Sequence, residues 1–189
     1  MSLELYCGPM WAGKSSTVLG TLRRYSSIGW KILLLTSELD NRYGSGMVVS
    51  HDQEKYPALA VRNLLEVAKT PVYEDAQLIM IDEAQFFPDL YDFVLQAVDE
   101  HEKHVICVGL DGDSDRKPFG DILQLVPHCD SIRKITSFCS ECCDGTPALF
   151  SYHRSQKLGQ VSVGHTNHYE PLCRKHYNQK TSAKKNETS

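Results

Sequence analysis

Eight residues near the start of the chain, G-P-M-W-A-G-K-S from Gly8 to Ser15, restrict its fold more than any others. They fit the phosphate-binding pattern G-x-x-x-x-G-K-[ST] without a mismatch, and they sit in the context that pattern needs. The apolar run Leu3, Leu5, Tyr6 comes before them, and a stretch without proline, Ser15 to Ile28, follows. A strand that turns through such a loop into a helix directs backbone N–H groups and the positive end of the helix dipole at one anion. Gly8, Pro9, Met10, Trp11, Ala12 and Gly13 are the expected cradle. Lys14 is expected on the terminal phosphates and the Ser15 hydroxyl on Mg²⁺.

Apolar strands are expected at Leu3–Cys7, Lys31–Ser37, Leu78–Ile81 and Val105–Leu110. Helical patterns lie at Ser15–Ile28, Ala58–Ala68, Leu90–Glu100 and Phe119–Val126. Strands alternating with helices predict an α/β fold: a parallel sheet covered on both faces. A chain of 189 residues that is 41% hydrophobic can build such a core. Near Ile132 the texture changes to short segments rich in Cys, His, Gly and Ser. We therefore expect an α/β domain over residues 1–134, a small second unit over 135–177, and a disordered polar tail over 178–189.

The net charge of −4, with scattered Lys and Arg, gives no basic stripe for nucleic acid or membrane. The start M-S-L-E-L-Y leads straight into a strand, with no secretory leader pattern, and no apolar run is long enough to span a bilayer. A cytoplasmic protein is expected. Seven cysteines at uneven spacing argue for thiols or metal ligation over a disulfide framework.

The third strand, L-I-M-I-D-E, ends in Asp82 and Glu83. After a phosphate loop, such a pair divides the work. Asp82 is expected to hold Mg²⁺ and Glu83 to act as general base, which favours transfer to a hydroxyl or water over passive nucleotide storage. Farther on, C-S-E-C (Cys139, Cys142) and C-R-K-H (Cys173, His176) are two pairs of equal spacing about 30 residues apart. They fit a closed, structural tetrahedral Zn²⁺ site with three sulfurs and one nitrogen. Cys7, Cys107 and Cys129 fall in apolar stretches and read as core residues.

Together, G-P-M-W-A-G-K-S, D-E-A-Q-F-F-P-D, G-L-D-G-x-x-x-R-K-P-F-G, C-x-x-C and C-x-x-H, in this order, resemble the cytosolic and viral type II thymidine kinases. The likeness extends from Leu3 to Tyr177. It implies a RecA-like P-loop domain plus a small zinc domain carrying a lasso loop over the nucleoside. It also implies transfer of the ATP γ-phosphate to the thymidine 5′-hydroxyl, with Glu83 as base. Asp40, Arg42, Asp82 and Gln85 join the phosphate loop on the nucleotide side. Met10, Phe86, Leu110, Ser114 and Phe119 correspond to the thymine pocket. Gln160, Val161, Ser162, Val163, Gly164 and Tyr169 correspond to the lasso. A homotetramer or homodimer and feedback inhibition by dTTP are implied as well. Ser114 stands where the family has an aromatic residue, and Trp11 where Phe is more common. Two other readings share the motifs: a deoxynucleoside kinase of altered base preference, and a RecA-like nucleic-acid-dependent ATPase. A third is a non-enzymatic nucleotide-sensing module.

Overall fold

The computed structural model describes residues 1–39, 47–49, 55–154 and 168–187. Its frame is a six-stranded, all-parallel sheet in the order β5-β2-β6-β7-β1-β8. The strands are β1 (Ser2–Cys7), β2 (Ile32–Ser37), β5 (Leu59–Val61), β6 (Leu78–Ile81), β7 (His104–Gly109) and β8 (Ser131–Lys134). Between β2 and β5 lies an antiparallel pair, β3 (Met47–Val49) with β4 (Lys55–Pro57). The RecA-like expectation holds. The strand leading into the phosphate loop, β1, and the strand ending in the two acids, β6, lie on either side of β7.

The central strands are apolar at nearly every position because both faces of the sheet are covered. Alternate residues serve opposite faces. Leu3, Leu5, Cys7, Ile79, Ile81, Val105 and Cys107 face one core, with Leu90, Phe93 and Val94 of α4 (Leu90–Leu95). Tyr6, Leu34, Met80, Ile106 and Val108 face the other, under Val18, Leu19 and Leu22 of α1 (Lys14–Ser27). Full burial of each such aliphatic side chain contributes about 1.5–3 kcal/mol.

Four expectations are corrected. The helix read over Ala58–Ala68 is in fact strand β5 followed by one short helix, α2 (Leu64–Val67). Leu59–Val61 pairs with Leu35–Ser37, so an open sheet edge overrides the helical pattern. The Leu90–Glu100 helix widens into a π-helical turn over Gln96–Glu100, where the His101 N–H donates to the Gln96 carbonyl at 3.0 Å. The Phe119–Val126 helix starts later and is a 3₁₀ segment, Ile122–His128. Gly120 at φ 58° precedes it and Pro127 lies inside it. The polar end forms α5 (Arg174–Glu187), helical through the segment expected to be disordered. Lys180 of α5 pairs with Glu141 and Glu170, and the Thr181 hydroxyl donates to the Tyr177 carbonyl. The Lys180 ion pairs, which are tertiary, supply what apolar periodicity does not. Among the elements with no sequence signal are α3 (Pro71–Asp75), opened by its proline, and edge strand β8, three of whose four residues are exposed.

After β8 come two small antiparallel pairs. β9 (Ser137–Phe138) pairs with β10 (Pro147–Ala148), and β11 (Phe150–His153) with β12 (Tyr169–Leu172). α5 packs beside them. Their core is small: Cys139, Ala148, Leu172, Cys173 and Tyr177, with Cys142, Phe150 and Tyr152 at its margin. No described helix is long and apolar enough to cross a membrane.

Candidate active site and metal centre

All six sheet strands run the same way, so the loops after β1, β6 and β7 leave at one edge. That carboxyl edge is where α/β sheets place their ligands. The Gly8 N–H donates to the Gly109 carbonyl at 3.3 Å, which joins the loops after β1 and β7 at their roots.

Trp11 (φ 59°) and Gly13 (φ 77°) both take left-handed backbone in the phosphate loop. This costs Trp11 about 1–2 kcal/mol. Gly13 caps α1 with no side-chain hydrogen bond, and the first turn of α1 carries no acidic residue. The positive end of the helix dipole is therefore not offset by a carboxylate of its own first turn. Lys14 donates from Nζ to the Gly8 and Pro9 carbonyls at 3.2 and 2.8 Å, so its ammonium lies across the loop. Gly8 is required for space. A Cβ built there would lie 2.1 Å from the Ile135 carbonyl oxygen.

Asp82 and Glu83 follow β6. Asp82 is buried, and its N–H donates to the Leu35 carbonyl. Glu83 has φ 52° and ψ 41°, left-handed for a residue with a side chain. The turn is held by the Glu83 N–H donating to Asp82 Oδ1 (3.0 Å) and the Phe86 N–H to the Glu83 carbonyl (3.0 Å). A backbone conformation of this kind costs a residue with a side chain about 1–3 kcal/mol and is held here by the surrounding turn. Gln85, expected on the nucleotide, is buried and lies behind Glu83. Its Nε2 donates to Glu83 Oε2 at 2.6 Å, and its Oε1 accepts from the Leu110 N–H at 2.9 Å.

Phe86 and Phe119 meet edge to face, with ring centroids 5.5 Å apart. Leu110 reaches the same corner through Gln85. Ser114 is buried, and its carbonyl accepts from the Tyr177 hydroxyl at 2.6 Å. Arg116 stacks over the Tyr177 and Phe150 rings and donates to Asn178 Oδ1. The loop after β7 is therefore clasped by the small domain. That domain also reaches the phosphate loop: Ser151 of β11, buried, accepts from the Met10 N–H at 2.9 Å. Tyr169 sits at the base of the β11–β12 pair, edge-on to His153 at 4.6 Å. Asp40, Arg42 and Gln160 to Gly164 lie outside the described residues. The sequence offered no signal for Ser151, and Tyr177 figured only as the end of a motif region.

Cys139, Cys142, Cys173 and His176 converge, with all four ligand atoms within 4.8 Å of one another. His176 Nδ1 lies 3.4, 3.4 and 3.5 Å from the sulfurs of Cys139, Cys142 and Cys173, and the Cys142 and Cys173 sulfurs are 3.9 Å apart. A tetrahedral ion bonded at about 2.3 Å to sulfur and 2.0–2.1 Å to nitrogen has edges of roughly 3.8 Å (S to S) and 3.6 Å (S to N). The donor set and its spacing fit. Burial raises the Cys139 thiol, but the Cys173 N–H, the His176 ring and the Cys142 and Glu141 N–H groups outweigh it and bring it down to about 6. Desolvation, helped by the Cys139 and Cys173 sulfurs, pushes Cys142 up to about 11. Three thiolates this close ionise together only around a cation. Cys143 is exposed, with its sulfur turned to the Ser140 carbonyl, outside the group. Burial raises the core thiols as well, Cys7 to about 11 and Cys107 further.

A family model described as thymidine kinase matches residues 1–177. The chain belongs to the thymidine kinase family. It is 37% identical over 179 residues to a thymidine kinase of Oryza sativa and 36% identical to thymidine kinase a of Arabidopsis thaliana. It is 35% identical over 175 residues to the thymidine kinase of vaccinia virus. Each match covers 93% of this chain. The chain spans 65% of the rice protein, 74% of the Arabidopsis protein and 96% of the vaccinia protein.

Proposed function

We propose that this chain transfers the γ-phosphate of ATP to the 5′-hydroxyl of thymidine, giving dTMP and ADP. The observation that carries the reading is Glu83, a carboxylate held in strained backbone at the same sheet edge as the phosphate loop. The backbone of Gly8 to Ser15 and Lys14 bind the phosphates. Ser15 and Asp82 are the residues that would hold Mg²⁺, whose charge offsets that of the phosphates. Glu83 accepts the 5′-hydroxyl proton while the oxygen stands in line with the phosphorus, so the protein's work is positioning and charge stabilisation. Met10, Phe86, Leu110 and Phe119 wall the base, and the segment Gln160 to Gly164 with Tyr169 closes over it and excludes water. Asp40 and Arg42 act at the transferred phosphate.

Residues 1–134 form the nucleotide domain and 135–177 the lasso domain. Zn²⁺ on Cys139, Cys142, Cys173 and His176 substitutes for the core that this small domain lacks. A cytoplasmic homotetramer or homodimer, inhibited by dTTP and without nucleic-acid or membrane partners, completes the reading.

The test is phosphate transfer from ATP to thymidine, deoxyuridine and deoxycytidine in competition, in the parent chain and in Glu83→Gln. Thymidine phosphorylation abolished in the variant, with ATP still bound, supports the reading. Unchanged turnover removes Glu83 as base. A preference for another nucleoside moves the reading to an altered base preference, to which Ser114 contributes.

A further inference from the structure

Gln85 occupies an unusual position for a polar side chain. It is 3% exposed, and both ends of its amide are committed. Leu110 offers a backbone N–H, which only the amide oxygen can accept. That bond fixes which end of the amide is which, so Nε2 must face Glu83. Two glycines press the side chain and its backbone into place. A Cβ at Gly109 would lie 2.4 Å from Gln85 Oε1, and one at Gly120 would lie 2.3 Å from the Gln85 carbonyl oxygen. The bridge thus runs from the root of the β7 loop to the Glu83 carboxylate with no room to swing.

From this geometry we infer that Gln85 is a positioning residue: its amide fixes the direction of the Glu83 carboxylate. This rests on Glu83 being the base. A glutamate carboxylate turns freely about its last bonds, and a base acts only when its oxygen lies within hydrogen-bond reach of the proton it takes. A 2.6 Å bond to Oε2 sets that rotation. The donor is neutral, so it orients the anion without the larger loss of proton affinity that a cation in the same place would cause. The two glycines are part of the device, because any side chain at Gly109 displaces the amide.

The experiment compares five full-length proteins: the parent, Glu83→Gln, Gln85→Glu, Gly109→Ala and the double variant Gln85→Glu/Gly109→Ala. For each, kcat and the Michaelis constants for ATP and thymidine are measured per ATP-competent site, counted from the stoichiometry of ATP binding. Gln85→Glu keeps the shape and the acceptor for Leu110 but turns the donor into an oxygen facing Glu83. Its kcat should fall roughly 10- to 100-fold, as for displacement of a catalytic group by about 1 Å. Its Michaelis constant for ATP should stay within about twofold, a split that a merely structural role does not give. Gly109→Ala moves the same amide sterically and should lower kcat likewise, and the double variant should be no worse than the poorer single one. An inactive Glu83→Gln beside a Gln85→Glu or Gly109→Ala enzyme of parental kcat overturns the role of Gln85 alone. So does multiplication of the two defects in the double variant. An active Glu83→Gln overturns the reading of the base, and the inference with it.

Discussion

Replacing Gly8 by alanine tests whether the phosphate loop is held by tertiary contact. Gly8 is not in left-handed backbone, so its φ gives no reason to forbid a side chain; the obstacle is the Ile135 carbonyl. The added Cβ would approach it at 2.1 Å, about 0.9 Å inside the 3.0 Å floor of real Cβ contacts. Ile135 cannot yield cheaply. Its N–H donates to the Cys7 carbonyl at 2.7 Å, which extends the β1–β8 pairing by one rung, and Gly8 is itself tied to the Gly109 carbonyl. Relief means moving the loop by nearly 1 Å or breaking that rung. Overpacking of this kind costs about 1–3 kcal/mol. At roughly 2–4 °C per kcal/mol for a chain of this size, the melting temperature should fall about 2–12 °C. A loop displaced that far loses at least one N–H bond to phosphate, worth about 1.5–3 kcal/mol, so ATP should bind roughly 10- to 100-fold more weakly. Thermal denaturation and calorimetric titration with ATP measure the two effects. A variant with parental melting temperature and parental ATP affinity would refute the argument.

Ser151→Ala removes the acceptor of the Met10 N–H; a loss of about 1 kcal/mol should weaken ATP binding roughly fivefold, by titration, although Ser151 lies far along the chain from the phosphate loop. Tyr177→Phe frees the buried Ser114 carbonyl at a cost of about 1–3 kcal/mol; it should lower the melting temperature and raise the Michaelis constant for thymidine more than that for ATP, as steady-state kinetics would record. Metal chelation, or Cys173→Ser, should release one Zn²⁺ per chain by atomic absorption and weaken thymidine use, because the quartet pins the small domain that clasps the Ser114 loop. A metal-stripped protein with parental thymidine kinetics would contradict that link.

Local patterns made the chemistry-bearing residues legible. The phosphate loop is a run of eight residues. The acid pair ends an apolar strand, and the metal ligands are two short pairs at matching spacing. The four inner strands were legible too, because burial on both faces makes them apolar throughout. What escaped was set by partners distant in sequence. Ser131–Lys134 carries no apolar signal, yet becomes a strand because β1 has an open side. Leu59–Val61 is drawn from a helical pattern to the edge of β2. α5 extends through polar residues because Glu141 and Glu170 wait for Lys180.

The sequence alone therefore determined which candidate groups the protein carries, a phosphate-loop motif, an acid pair and two Cys/His pairs, since each motif is a contiguous piece of chain with its own local conformation. Only the tertiary structure decided how they are aimed. Parallel pairing brings the loops to one edge, Gln85 bridges Glu83 to Leu110, Ile135 confines Gly8, and Ser151 and Tyr177 tie the small domain to both loops. Apart from the local Gln85–Glu83 bond, each of these contacts joins residues whose separation along the chain carries no period or spacing to read, and exists only once the sheet has set the distance between them.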